Sequence, residues 1–141
     1  MKSLAWAAVA LGLLTAAPAV AQAQQGTPTP QVQLHRNYPN PFNPETTIPF
    51  TLDQGLWAGG QQPVVTLRIY NILAQLVAIP MLQGSGELLD NVALQWNGTG
   101  EYAAYWDGTV QGTNREAASG VYVYQLVVNG KSFTKKMTVV K

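Results

Sequence analysis

The chain has 141 residues, eight basic and seven acidic side chains, one histidine and no cysteine. This composition excludes disulfide stapling and thiol chemistry. It leaves histidine-based triads and zinc sites short of members, and it offers no basic excess of the kind a nucleic-acid surface needs.

In chain order, Lys2 precedes an apolar run from Leu4 to Val20, and Ala21-Gln22-Ala23 follows as a small-x-small cleavage site. That layout predicts a secretory signal peptide over 1–23. An anchoring helix is the alternative, but the run sits at the short end of the spanning range and contains Pro18. Cleavage after Ala23 removes Lys2 and leaves seven basic against seven acidic residues. No second apolar run of that length follows, so no membrane span is expected after cleavage.

Residues 24–33, rich in Gln, Thr and Pro, read as a flexible leader, and the folded domain is expected over 34–141. Residues 37–50, "NYPNPFNPETTIPF", hold four prolines and three asparagines. Proline fixes φ and pushes its predecessor to extended backbone, so the segment predicts a stiff, ordered lead-in anchored by Phe42. "TTIPFTL" alternates with Ile48, Phe50 and Leu52 on one side, and Pro49 predicts an edge strand or a bulge there.

Further strands are expected over 64–72, 75–82, 91–96, 101–106, 120–130 and 131–141, with no convincing helix. Asn129-Gly130 is a type I′ hairpin signal. Period-two alternation places Val65, Leu67, Ile69, Trp106, Tyr122, Tyr124 and Leu126 in the core. About seven antiparallel strands predict an all-β fold, an immunoglobulin-like β-sandwich. The repeat "ALQWNGTG" and "AAYWDGTV" predicts two strands ending in tight turns, with Trp96 and Trp106 capping one core edge.

His35 has no histidine or cysteine partner, and the seven acids are scattered. The chain is therefore read as non-enzymatic, without cofactor. A calcium site built from turn aspartates stays open. Trp57, in a "GLWAGG" loop, and Trp96 are a candidate ligand platform for sugar stacking, against the plainer reading that they cap loops.

Four segments in order, "NYPNPFNPETTIPF", "VTLRIYNILAQLV", "WDGTVQGTNREAASGVYVYQL" and "KKMTVVK", resemble the C-terminal sorting domain (type A) of type IX secretion in Bacteroidetes. They are also similar to the immunoglobulin-like domain of the flagellar hook-capping protein. The resemblance covers about 34–141. It implies transit through the periplasm to the cell surface or outside, with an outer-membrane translocon and a surface sortase as partners. The sorting signal it implies matches Gly120, Val121, Tyr122, Lys135, Lys136, Met137, Val139 and Lys141. Ala74 stands where the family usually has glycine, residues 53–63 and about 86–100 look like insertions, and the large passenger usual in the family is absent. The alternative is a structural or adhesive surface subunit that binds envelope proteins or glycans. No nucleic-acid partner is expected.

Overall fold

A computed structural model describes residues 29–141, so the expected signal peptide and residues 24–28 of the leader lie outside the described residues. The fold is all-β, with two antiparallel sheets and one 3₁₀ segment over Gln54–Gly60. The first sheet holds β1 (Val32–Leu34), β2 (Thr46–Leu52), β7 (Glu101–Trp106) and β5 (Met81–Leu82), in the spatial order β1-β2-β7-β5. The second runs β4 (Leu76–Ala78), β3 (Val64–Tyr70), β8 (Gly120–Val128), β9 (Lys131–Val139), and β6 (Val92–Ala93) also pairs with β3. Among the described residues no helix is long and apolar enough to cross a membrane.

The alternation that predicts these strands also sorts their faces. Ile48, Phe50 and Leu52 of the first sheet and Val65, Leu67, Ile69, Tyr122, Tyr124 and Leu126 of the second are buried in one core cluster with Trp106. Every residue expected in the core is there. β2, β7, β8 and β9 follow their predicted spans closely. Asn129 (φ 50°) and Gly130 (φ 84°) carry positive φ between β8 and β9, as the type I′ turn demands.

Three expectations about strands are corrected. Pairing begins at Val32, two residues before the expected start, because β1 adds to β2 as a short outer strand. The predicted strand over 75–82 is two strands in different sheets: the chain leaves β4, passes Ile79 and Pro80, and enters β5. Pro80 cannot donate to a ladder, and its carbonyl accepts from Leu89 N–H at 3.0 Å instead. Over 91–96 only Val92 and Ala93 pair as strand.

Pro49 is the fourth correction. Its strand, β2, lies inside the first sheet between β1 and β7, neither at an edge nor at a bulge. A proline is tolerated there because β1 ends at Leu34. The last ladder bond runs from His35 N–H to Pro49 O at 3.0 Å. The return bond, from Pro49 to His35 O, cannot form. The Tyr124 hydroxyl, from β8 in the other sheet, donates to His35 O at 2.8 Å and accepts from Asn37 N–H at 3.1 Å. Tyr124 is fully buried, so the phenol supplies what the proline cannot.

Beyond this point the proline-rich segment is ordered, as expected. Tyr38 pairs with Thr47 of β2, exchanging two backbone bonds of 2.9 Å. Thr46 Oγ1 reaches the carbonyls of Tyr38 and Pro39. The segment then crosses to the second sheet. Phe42 N–H donates to Thr138 O at 3.1 Å, Val140 N–H donates to Phe42 O at 3.0 Å, and Asn40 Oδ1 accepts from Thr138 N–H at 3.1 Å. The Phe42 ring is buried edge-on against Trp106, 5.4 Å between centroids. The lead-in is a strap from β2 to the end of β9.

Tyr124→Phe keeps the ring and removes the hydroxyl that serves His35 and Asn37. Urea denaturation is expected to show a loss of about 1–3 kcal/mol with the m-value unchanged. A loss no larger than about 0.5 kcal/mol, the size of an ordinary surface change, would contradict the bridging role.

Candidate functional site: the terminal hairpin

β8 and β9 form a two-stranded hairpin in register from Gly120↔Val139 to Val128↔Lys131. All eight residues of the implied sorting signal lie on this hairpin or at its end, and the structure divides them into two groups. Tyr122, Met137 and Val139 are buried. Tyr122 packs edge-on against Trp106 at 5.9 Å and donates its hydroxyl to Ala118 O at 2.7 Å. Gly120, Val121, Lys135, Lys136 and Lys141 are exposed. Gly120 opens β8 at φ +150°, backbone that a side chain rarely adopts, so glycine is needed there for conformation.

The lysines do not share one face. Along β9 the odd positions Phe133, Lys135, Met137 and Val139 form the row facing the core, and Lys136 belongs to the opposite row. Lys135 lies opposite Tyr124 and Lys136 opposite Val123. Lys131 sits over the Phe133 ring at 5.9 Å from the centroid. Lys141 lies 3.8 Å from Glu116, an exposed pair. The four lysines of residues 131–141 are therefore split between two faces and an ion pair, because consecutive residues of a strand point opposite ways.

The tryptophan pair is also repositioned. Trp57 and Trp96 meet edge-on, 5.0 Å between centroids and 62° between planes. Trp57 donates its indole N–H to Leu94 O at 2.9 Å and stacks on Tyr102, which stacks on Phe50. Both rings are half-buried, so the Trp57 loop is tied to the core, more covered than the sequence suggests. A shallow depression remains beside them, lined also by Asp53, Gln54 and Gly55. Trp106 packs with Phe42 and Tyr122 at the far end of β7. The expectation that Trp96 and Trp106 cap one edge is corrected: they cap opposite ends. Their turns do match, since Asn97 Oδ1 and Asp107 Oδ1 accept from Thr99 N–H and Thr109 N–H.

Sequence reasoning passed over two features near these sites. His35, assigned no role, bonds Thr51 Oγ1 at 2.7 Å through Nε2. Burial raises the Tyr124 phenol, and the positive charge of Arg36 works against that rise. Ala74, the departure from the family's glycine, has φ 62°, and Asn71 Oδ1 holds the turn by accepting from Leu73 and Gln75 N–H. Among the described residues no three His, Cys, Asp or Glu side chains converge as metal ligands.

No family model and no curated protein matches the sequence. A solved structure of Pseudomonas fluorescens alkylpurine DNA glycosylase AlkC, bound to DNA containing an abasic site analog, resembles the chain with a TM-score of 0.50 at 14% identity. The match covers 85% of this chain and 33% of that one, so this chain spans about a third of its length. That neighbour is an enzyme. The expectation of a non-enzymatic chain is corrected accordingly, and the exclusion of catalysis drawn from scattered acids and a lone histidine is withdrawn. At this identity the likeness carries the fold alone, and it assigns no reaction here.

Burial raises the Tyr102, Tyr122 and Tyr124 phenols above their ordinary value of 10.0, while hydrogen bonds partly oppose the rise. The Glu45 carboxylate, accepting the Tyr105 hydroxyl at 2.6 Å, pushes that phenol up to about 12. A raised folded pKa means the unfolded chain gives up its protons first. Stability is therefore expected to hold below pH 10 and to fall as pH rises through the folded values. Urea midpoints measured from pH 8 to 12 check this, and a midpoint that rises over that range would contradict it.

Proposed function

We propose that the chain is a type IX sorting and surface-attachment domain. In this reading the two sheets form an immunoglobulin-like β-sandwich that presents its terminal hairpin to an outer-membrane translocon and then to a surface sortase. The chain is exported by residues 1–23, passes through the periplasm and ends at the cell surface or outside.

The observation that carries the reading is the division within the hairpin. Tyr122, Met137 and Val139 fix the hairpin to the core, while Gly120, Val121, Lys135 and Lys136 stand exposed on it. A receptor that must read folded cargo needs such a combination: a rigid element held at one end of the chain, with side chains left for recognition. The chain as a whole is near charge balance, so β9, with its lysines and no acid, is a local positive feature. The same balance favours protein over nucleic-acid partners.

The second reading, a surface subunit that binds glycans, draws on the depression between Trp57 and Trp96. It differs in its residues. Glycan binding measured by titration calorimetry and lost in Trp96→Ala would favour it.

The sorting reading is tested by fusing residues 34–141, behind a signal peptide, to a reporter in a host with the type IX system. Lys135→Gln with Lys136→Gln is expected to reduce surface delivery severalfold. Its stability should change by no more than about 0.5 kcal/mol, since both side chains are exposed. A folded double variant that reaches the surface like the parent would remove the role of charge. A parent domain that leaves its reporter in the periplasm would remove the sorting reading.

A further inference from the structure

β1 closes one sheet and β9 closes the other, and the two strands adjoin along one side of the molecule. Which backbone groups face that side follows from the hairpin. Val128 and Lys131 flank a two-residue turn, so they exchange ladder bonds, and so do the pairs at every second position. The odd residues of β9 thus bond β8. Ser132, Thr134, Lys136 and Thr138 turn N–H and C=O outward. Thr138 is occupied, because Asn40 and Phe42 of the strap take both its groups. Ser132, Thr134 and Lys136 have no backbone partner among the described residues.

The same parity holds across the gap. Gln31 O accepts from Asp53 N–H and His35 N–H donates to Pro49 O, so the backbone groups of the odd residues along β1 face β2, and the N–H and C=O groups of Val32 and Leu34 point away from it. A groove lies between the two strands, with Pro30 and Val32 on one side and Lys131 and Phe133 on the other. It offers apolar surface from Val32 and the Phe133 ring, and unpaired backbone along β9.

Its charge is one-sided. Lys131, Lys135, Lys136 and Arg36 are exposed and form no ion pair among the described residues, and neither 29–36 nor 131–141 contains an acid. Edge lysines commonly prevent pairing between copies of a chain. Two β9 edges brought together would pool these cations with nothing to neutralise them, which argues against a second copy as the occupant. A nucleic-acid backbone would satisfy the cations but could donate nothing to the outward carbonyls of Ser132, Thr134 and Lys136. An extended peptide supplies donors and acceptors in alternation and can carry carboxylates to the lysines.

We infer that the outer edge of β9, from Ser132 to Lys136, is a docking site for an extended, acidic peptide segment of a partner protein, which adds to the second sheet as a further strand beside the β1 groove. The backbone supplies a donor and an acceptor at each of Ser132, Thr134 and Lys136. Lys135, in the inward row, meets carboxylates on the groove side, and Lys136 meets them on the outer side. The inference holds whether or not the chain carries an export signal, since it concerns binding by the folded protein in isolation.

The test uses the full chain and a fluorescent peptide alternating Glu and Thr, read by anisotropy and by amide hydrogen exchange. The comparison probes are the same peptide with Lys for Glu, a Glu-Pro alternating peptide that cannot pair as a strand, and a single-stranded oligonucleotide. The Glu-Thr peptide is expected to bind about tenfold or more tightly than each comparison probe, to weaken with salt, and to protect the Ser132, Thr134 and Lys136 amides. Lys135→Gln with Lys136→Gln should weaken it by about tenfold. Thr134→Pro deletes an outward donor while sparing the β8 ladder and should also weaken binding. The exchange readout on the parent protein decides the matter should that variant misfold. Equal binding of the Glu-Pro peptide or the oligonucleotide would reduce the site to polyanion attraction and overturn the inference. So would binding that leaves those three amides unprotected, no detectable binding, or a dimer of the chain that buries the same edge.

Discussion

One buried hydroxyl ties the two sheets together at the point where the chain changes direction. Tyr124 stands on β8, yet its oxygen serves His35 and Asn37, which flank the start of the strap on the other sheet. Apolar packing alone would leave the His35 carbonyl without the donor that Pro49 lacks, and a buried polar group without a partner is costly. With the phenol in place, a proline can sit inside a sheet and the chain can leave β1 at a fixed angle. The strap then reaches β9, closes its last outward positions and seats Phe42 against Trp106. The proline-rich segment ahead of β2 is thus the element that joins the sheets. Its fixed φ angles mean that little conformational entropy is lost when it orders.

The strap also determines which part of β9 stays open. Asn40 and Phe42 cover the strand around Thr138 and leave Ser132 to Lys136 uncovered. The terminal hairpin is consequently anchored at its chain end, close to Val139, and accessible nearer the Asn129-Gly130 turn. Fold and candidate site share this one cause.

Long alternating strands were legible from the sequence because period two is a strong signal when one face is buried. β2, β3, β7, β8 and β9 and their inward rows follow from it. β1 was not legible, since three residues within a Gln-rich stretch carry no periodicity and gain their place only by adding to β2. The split at Ile79-Pro80 was hidden because β4 and β5 together read as one run, and only tertiary structure shows that they belong to different sheets. Leu89 and Leu94 are buried core residues in a connection that looks like an insertion, and no local pattern marks them. Pro49 was misplaced for a related reason: the donor that excuses it lies 75 residues away, at position 124 against 49.

The candidate site was legible as a set of residues and not as a surface. Composition finds the lysines and the absence of acids. It does not say that Lys135 and Lys136 point to opposite faces, or that Lys141 is paired with Glu116. Aromatic residues misled in a similar way. Identical "W-[N/D]-G-T" turns suggested identical roles, whereas the partners differ: Trp96 meets Trp57, and Trp106 meets Phe42 and Tyr122. The exclusion of catalysis rested on absent pairs of groups in the sequence, and a sequence does not show which groups a fold brings together.

The strap is an integral part of the two-sheet core only if it stays closed for as long as the central strands do. Native-state hydrogen exchange at the Asn37, Phe42, Thr138 and Val140 amides measures this directly. If the strap joins the sheets, these amides exchange only with global unfolding, at the same free energy as Leu67 and Leu126 in the central strands. Exchange at those four positions as fast as at the exposed Gly59 and Gly60, while Leu67 and Leu126 remain protected, would show a core that stands without the strap and would contradict the account.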